Sequence, residues 1–202
     1  MSKSKAIVVL TNFWDANALI DYGFLLHKVE GDDTVHKVNL ITQRGDSNFS
    51  VKSIALSHPP LVKLPHLKHL DRLDYFCPTY DILCRYKDDG DWVSYTKDYY
   101  ELLKSRKDDL RDWLENLEPN HVYFLCCWEN TVGGAECHRK LLYKRFMSSP
   151  LAMTKMLPIY RAGNKIYKEE KDGVININMS SGNAYDDSTM LNDLLASIRR
   201  TD

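Results

Sequence analysis

Residues 126–139 carry the densest chemistry in this 202-residue chain: Cys126-Cys127-Trp128-Glu129, then Asn130 to Glu136, then Cys137-His138-Arg139. The order reads as strand end, glycine-bearing loop (Gly133-Gly134) and helix start. In open α/β sheets, ligands bind beyond the carboxyl ends of strands, where helix N-termini point. Unpaired backbone N–H groups at such a helix start hold anions. Arg139 adds a fork-shaped donor suited to phosphate. Glu129 suits a general acid or base, or a partner for a ribose hydroxyl; the plain alternative is a salt bridge to Arg139 or Lys140. Cys137, at a helix N-terminus next to His138, is expected to have a lowered thiol pKa. The pair then supplies a nucleophile and its orienter, or simply shapes the site.

Cys126 and Cys127 are neighbours on a strand, so their side chains face opposite ways and only one faces the site. Cys127 is the candidate, and Cys126 reads as a small core residue. His138 precedes Leu141 and Leu142 by three and four residues, which also fits a buried histidine. Cys127, Cys137 and His138 supply three metal ligands with no fourth at regular spacing, so no metal or cofactor is called for. Cys127 and Cys137 flank one loop, the arrangement of a redox pair.

Other residues join the candidate pocket from elsewhere. Arg44 and Ser47 lie at a second strand end and line the same pocket, or sit in a solvated loop. Tyr95 and Tyr99 recur on one helix face with Trp92; they stack a base at the pocket rim or fill the core. Trp128 completes the ligand-binding set. No Walker loop, zincin pair or serine-hydrolase elbow occurs.

Cys127-Trp128-Glu129 followed by Cys137-His138-Arg139 resembles the "Leu-Cys-x-Glu, short loop, Cys-His-Arg" pattern of the family catalogued as domain of unknown function 488. Trp92, Tyr95, Tyr99, Tyr100, Glu101 and Leu102 are similar to that family's aromatic helix. The resemblance covers roughly residues 5–147. Its "Asp-Val-Arg" strand end has no clear match; Val38-Asn39-Leu40-Ile41 through Arg44 and Ser47 is nearest, with Asn in place of Asp. The resemblance implies a compact α/β fold with a pocket around the Cys/Glu/Cys-His-Arg loop, and brings no activity.

The elements that must position these residues are legible in outline. Lys5–Thr11 reads as a buried strand, followed by a helix capped by Asp15 and running as far as Leu26. Val35–Ile41 and Val51–Leu56 read as strands, and a short helix is expected near His66–Leu73. Tyr80–Tyr86 alternates and reads as a strand. Helices follow from Asp91 and Asp108, then the strand Val122–Cys127, then a helix from Ala135 or Glu136 to Met147. Ile159–Tyr167, with Ala-Gly-Asn at its centre, predicts a hairpin, and Ser188–Arg199 an amphipathic helix. The expected fold is a three-layer Rossmann-like α/β domain, with a mostly parallel sheet and helices on both faces. A small C-terminal hairpin and helix are added. Residues 1–150 form the core domain and 151–202 an extension packed on it.

Composition sets the limits. Apolar residues make up 44% and charged residues 27%, which excludes disorder as the main state. No apolar run approaches the roughly 20 residues of a membrane span, and no signal peptide is evident, so a cytoplasmic protein is expected. Five cysteines without a Cys-x-x-Cys pair argue against a disulfide framework or zinc ribbon. Net charge is −1, but residues 138–168 hold eight bases and no acid, leaving 19 bases against 28 acids elsewhere. The first reading is an enzyme acting on a nucleotide or nucleic-acid base, its phosphate and base pocket at the Cys127–Arg139 loop. Base, glycosidic and phosphoryl chemistry all fit. The alternative is a non-catalytic module binding nucleic acid or a charged small molecule through the basic 138–168 stretch. The C-terminal helix is a candidate homo-oligomer contact.

Overall fold

The computed structural model describes residues 4–28, 35–42, 45–68, 70–131, 134–161, 166–171 and 174–179. The apolar run near the N-terminus forms β1 (Ala6–Asn12). Helix α1 (Phe13–Tyr22) follows without a loop. Its cap is Asn12, not Asp15: the Asn12 side chain accepts from the Asp15 N–H at 2.8 Å. The helix stops at Gly23 (φ 74°), whose N–H bonds back to Leu19 and Ile20. Left-handed backbone of this kind suits glycine and ends the helix three residues before Leu26. The chain then forms β2 (Phe24–Lys28), paired antiparallel with β3 (Val35–Asn39).

Next come β4 (Phe49–Ser53), two 3-10 turns at Leu61–Lys63 and Pro65–Leu67 in place of the helix expected near His66, and β5 (Asp71–Arg72). Tyr80–Asp89 is helix α2, not a strand. Thr79 caps it through the Ile82 N–H at 3.3 Å, and Ile82 and Tyr86, four residues apart, pack inward. Helices α3 (Trp92–Ser105, capped by Asp91) and α4 (Lys107–Glu115) lead to β6 (Val122–Cys127). After the loop come α5 (His138–Met147), α6 (Pro150–Lys155) and β7 (Met156–Tyr160).

The main sheet has the order β5-β4-β6-β1-β7, and every neighbouring pair is parallel. With helices around it, this is the three-layer α/β architecture that the sequence predicts. The C-terminal hairpin differs from expectation. Ile159 and Tyr160 belong to β7, which runs parallel to β1 as an edge strand of the main sheet. The hairpin instead pairs β8 (Ile166–Lys171) with β9 (Val174–Met179). Ser188–Arg199, and with it the expected oligomer contact, lies outside the described residues. Among the described residues no helix is long and apolar enough to cross a membrane.

The topology selects one end of the sheet. From β1 the chain crosses over β6 to reach β4; from β6 it crosses over β1 to reach β7. Two adjacent strands thus send their connections in opposite directions. Their carboxyl ends flank a topological switch point, where such sheets bind ligands. Asn12 and Cys127 stand side by side there in register.

Candidate functional site

At the carboxyl end of β6 the strand's alternation buries Cys126 on one side and turns Cys127 to the other, toward α5. Burial pushes the Cys126 thiol well above its usual range, as expected of a core cysteine. Cys127 Sγ lies 2.7 Å from Glu129 Oε2, 3.4 Å from Cys137 Sγ and 3.8 Å from His138 Nδ1. Cys137 Sγ lies 3.2 Å from the same Glu129 oxygen and 3.9 Å from His138 Nδ1. Four side chains from one strand end and one helix start therefore converge. Cys127 and Cys137 do face one another.

Local backbone explains how adjacent residues reach one point. Cys137 is the N-cap of α5, in extended conformation (φ −155°, ψ 140°), and its sulfur accepts from the Arg139 N–H at 3.4 Å. His138 is the first helical residue. The change from extended to helical backbone between them brings both side chains to the same side. The His138 ring is locked from behind. Its Nε2 lies 2.8 Å from the carbonyl oxygen of Ile54, in the segment after β4. A carbonyl only accepts, so Nε2 carries a proton, and in the neutral ring Nδ1 presents its lone pair to the two sulfurs. The Tyr99 ring packs edge-on against the imidazole, 5.5 Å between centroids.

Burial decides the protonation of the cluster. The Cys137 thiol is pushed well above its ordinary value by desolvation and by Cys127, against the opposing pull of His138. The lowered pKa expected from its helix position is thus corrected: loss of water outweighs the helix N-terminus. Burial would raise Glu129, but hydrogen bonds donated by Cys127 and Cys137 and the nearby His138 bring its carboxyl below the usual range. Burial would lower His138; Cys137, Glu129 and the Ile54 carbonyl more than offset it, and its pKa is raised. The resting site is an ionised carboxylate beside a protonated Cys137 thiol and an imidazole.

Arg139, expected from the sequence to hold phosphate, is sealed from solvent. Its side chain is 0% exposed. Nη2 donates to the Glu129 carbonyl at 3.1 Å and to Thr131 Oγ1 at 3.3 Å, and the guanidinium lies 5.5 Å from the Tyr160 ring centroid. Thr131 Oγ1 and Tyr160 Oη are 2.6 Å apart. Arg139 braces the loop from beneath instead of reaching out of it. Tyr95 and Tyr99 are likewise buried, and Tyr99 donates to the Phe76 carbonyl at 2.8 Å. They fill the core behind His138 and form no rim. Ser47 is exposed just before β4, bridged to Ile41, and the β4–β6 register puts it at the amino end of the sheet. The whole length of β6 separates it from Cys127. Arg44 lies outside the described residues.

Trp128 does stand at the rim. It is 37% exposed, its indole N–H donates to the Ser57 carbonyl at 2.7 Å, and its ring contacts Phe13 and Trp14. Trp14 is 46% exposed. Two partly exposed indoles, one from the first turn of α1 just past β1 and one just past β6, therefore edge the switch point. Trp14, Ile54, Thr131 and Tyr160 were not legible as site residues. Trp14 had a signal, an aromatic just past the β1 strand end. Ile54 contributes only backbone, and Thr131 and Tyr160 have no motif.

Among the described residues of the basic stretch, four bases are engaged within the fold. Arg139 is buried, Arg161 pairs with buried Asp15 at 2.7 Å, Lys140 pairs with Glu136 at 3.4 Å, and Lys155 bonds the Glu115 carbonyl at 3.5 Å. Lys144 and Arg145 remain on the exposed side of α5. Compared with known proteins, the chain matches no family model, no curated protein and no solved structure.

Proposed function

We propose that this chain is an enzyme acting on a nucleotide or nucleic-acid base held at the β1/β6 switch point, with Glu129 as the acid/base group. The observation that carries this reading is the Glu129 carboxylate, half-buried and approached by two thiols, next to a rim of exposed indoles. Positioned carboxylates of this kind move protons in transition states. Exposed aromatic rings at a ligand cleft stack bases, at about 1–3 kcal/mol per base. The stacking role assigned to Tyr95 and Tyr99 from sequence passes to Trp14 and Trp128. The positions of Arg139, Lys140, Lys155 and Arg161 weigh against the binding-module alternative.

The test is a thermal-shift and turnover screen with nucleotides, nucleosides and short single-stranded DNA and RNA. A ligand that binds the native state raises the melting temperature. We expect a shift with a mononucleotide or short single strand, weakened about 5- to 150-fold in affinity by Trp128→Ala, the loss expected for one stacked base. A shift with long duplex alone, unchanged in Trp128→Ala, would overturn the reading.

A further inference from the structure

We infer that Cys127, Cys137 and His138 form a binding site for a zinc-class divalent ion at the carboxyl end of β6. The inference does not depend on the substrate proposed above. Sγ of Cys127, Sγ of Cys137 and Nδ1 of His138 all lie within 4.8 Å of one another. The sulfurs are 3.4 Å apart and stand 3.8 and 3.9 Å from Nδ1. Around a tetrahedral zinc, with Zn–S of about 2.3 Å and Zn–N of about 2.0–2.1 Å, sulfurs sit about 3.8 Å apart and sulfur and nitrogen about 3.5 Å apart. The observed triangle matches those edges to within a few tenths of an ångström.

Three further features fit an ion. The donor set of two soft sulfurs and an imidazole selects zinc over magnesium or calcium. His138 is oriented as a ligand: Nε2–H is spent on the Ile54 carbonyl, so Nδ1 is the free donor atom, the usual support for a metal-binding histidine. Binding displaces both thiol protons, and two thiolates with a divalent ion are together neutral, which relieves the burial of three side chains that are each 5% exposed or less. Glu129 touches both sulfurs but is not one of the three mutually close donors, so the protein supplies three ligands there. Three protein ligands with one open position is the pattern of catalytic zinc. A bound ion would supply Lewis-acid activation of water at this strand end, and Glu129, against the two sulfurs, would be the group placed to accept a proton.

The sequence hides this site because its ligands share no ribbon or finger spacing. Cys137 and His138 are adjacent in the chain, and only the cap geometry of α5 aims both at Cys127.

The test is a Co2+ titration of the reduced, chelator-treated full chain, read by absorption, with Zn2+ as competitor. We expect one equivalent of Co2+, thiolate-to-cobalt charge transfer, the strong visible bands of a tetrahedral ion, and their loss on adding Zn2+. A chain carrying Cys77→Ala, Cys84→Ala and Cys126→Ala keeps the full signal, because only Cys127 and Cys137 remain. His138→Asn weakens Co2+ binding by more than about 100-fold, beyond the 10–100-fold typical of a ligand's hydrogen-bond partner. Glu129→Gln retains the cobalt bands, which separates this test from the acid/base role. No stoichiometric uptake by the folded wild type, or uptake without thiolate bands, overturns the site and leaves the acid/base reading of Glu129 standing.

Discussion

Glu129→Gln is expected to lower turnover by about 10²- to 10⁴-fold while leaving ligand binding intact, the range that a positioned acid/base group contributes. Gln keeps the shape and an oxygen that can still accept from both thiols, as Oε2 does. It cannot take up or release a proton near neutral pH. The wild-type carboxyl is held ionised, against burial, by hydrogen bonds donated by Cys127 and Cys137 and by His138. The replacement therefore removes a charge that three neighbours are arranged around. Burial favours the neutral amide, so the fold tolerates it. Glu115→Gln, on the exposed side of α4, serves as control and leaves turnover unchanged. Steady-state kinetics on the nucleotide that gives the largest thermal shift would check this. A fall in kcat with the thermal shift preserved fits the role. Full turnover in Glu129→Gln would reduce Glu129 to a structural partner of the thiols.

Arg139→Ala is expected to destabilise the chain by about 3–5 kcal/mol, the cost of breaking a buried charged contact and opening a cavity. The guanidinium is sealed from solvent and tied to the Glu129 carbonyl, to Thr131 and to the Tyr160 ring. Removing it strands the Glu129 carbonyl and loosens the loop that carries Glu129. In a chain of this size the melting temperature falls by about 6–20 °C. Arg139→Lys does not restore it, because a point charge cannot serve two acceptors and an aromatic face as the planar fork does. Calorimetry would check both variants. An unchanged melting temperature, with nucleotide binding lost, would return Arg139 to the phosphate role that its position in the sequence suggested.

Local pattern carried much of the architecture, and burial carried most of the surprises. The continuous apolar run Val122–Cys127, the glycines after it and the bases and leucines beyond made β6, its loop and α5 readable, and with them the neighbourhood of the site. Tyr80–Tyr86 misled because seven residues fit a period of two nearly as well as one of 3.6; the Thr79 cap and the Ile82–Tyr86 spacing were the deciding signals. β7 was missed because Ala162-Gly163-Asn164 argues for a local turn, whereas its partner β1 lies about 150 residues away. Nothing in a local window reports such a pairing.

The chemistry was legible as a set of residues and not as a set of roles. Strand alternation separated Cys126 from Cys127. The protonation of Cys137 and the placement of Arg139 depended on how deeply the helix start is covered, and both went against the reading from helix position. Tyr95 and Tyr99 show the same point: a helical aromatic stripe marks a buried face, and only the fold says that His138 lies against it.

The location of the ligand can be read directly by backbone amide chemical-shift mapping with the tightest-binding nucleotide. Shifts concentrated at residues 12–14, 54–57, 127–131 and 134–138 are expected, with little change along the outer side of α5. Shifts centred instead on Lys144 and Arg145, with the β1 and β6 ends silent, would contradict a site at the switch point and assign binding to the basic surface.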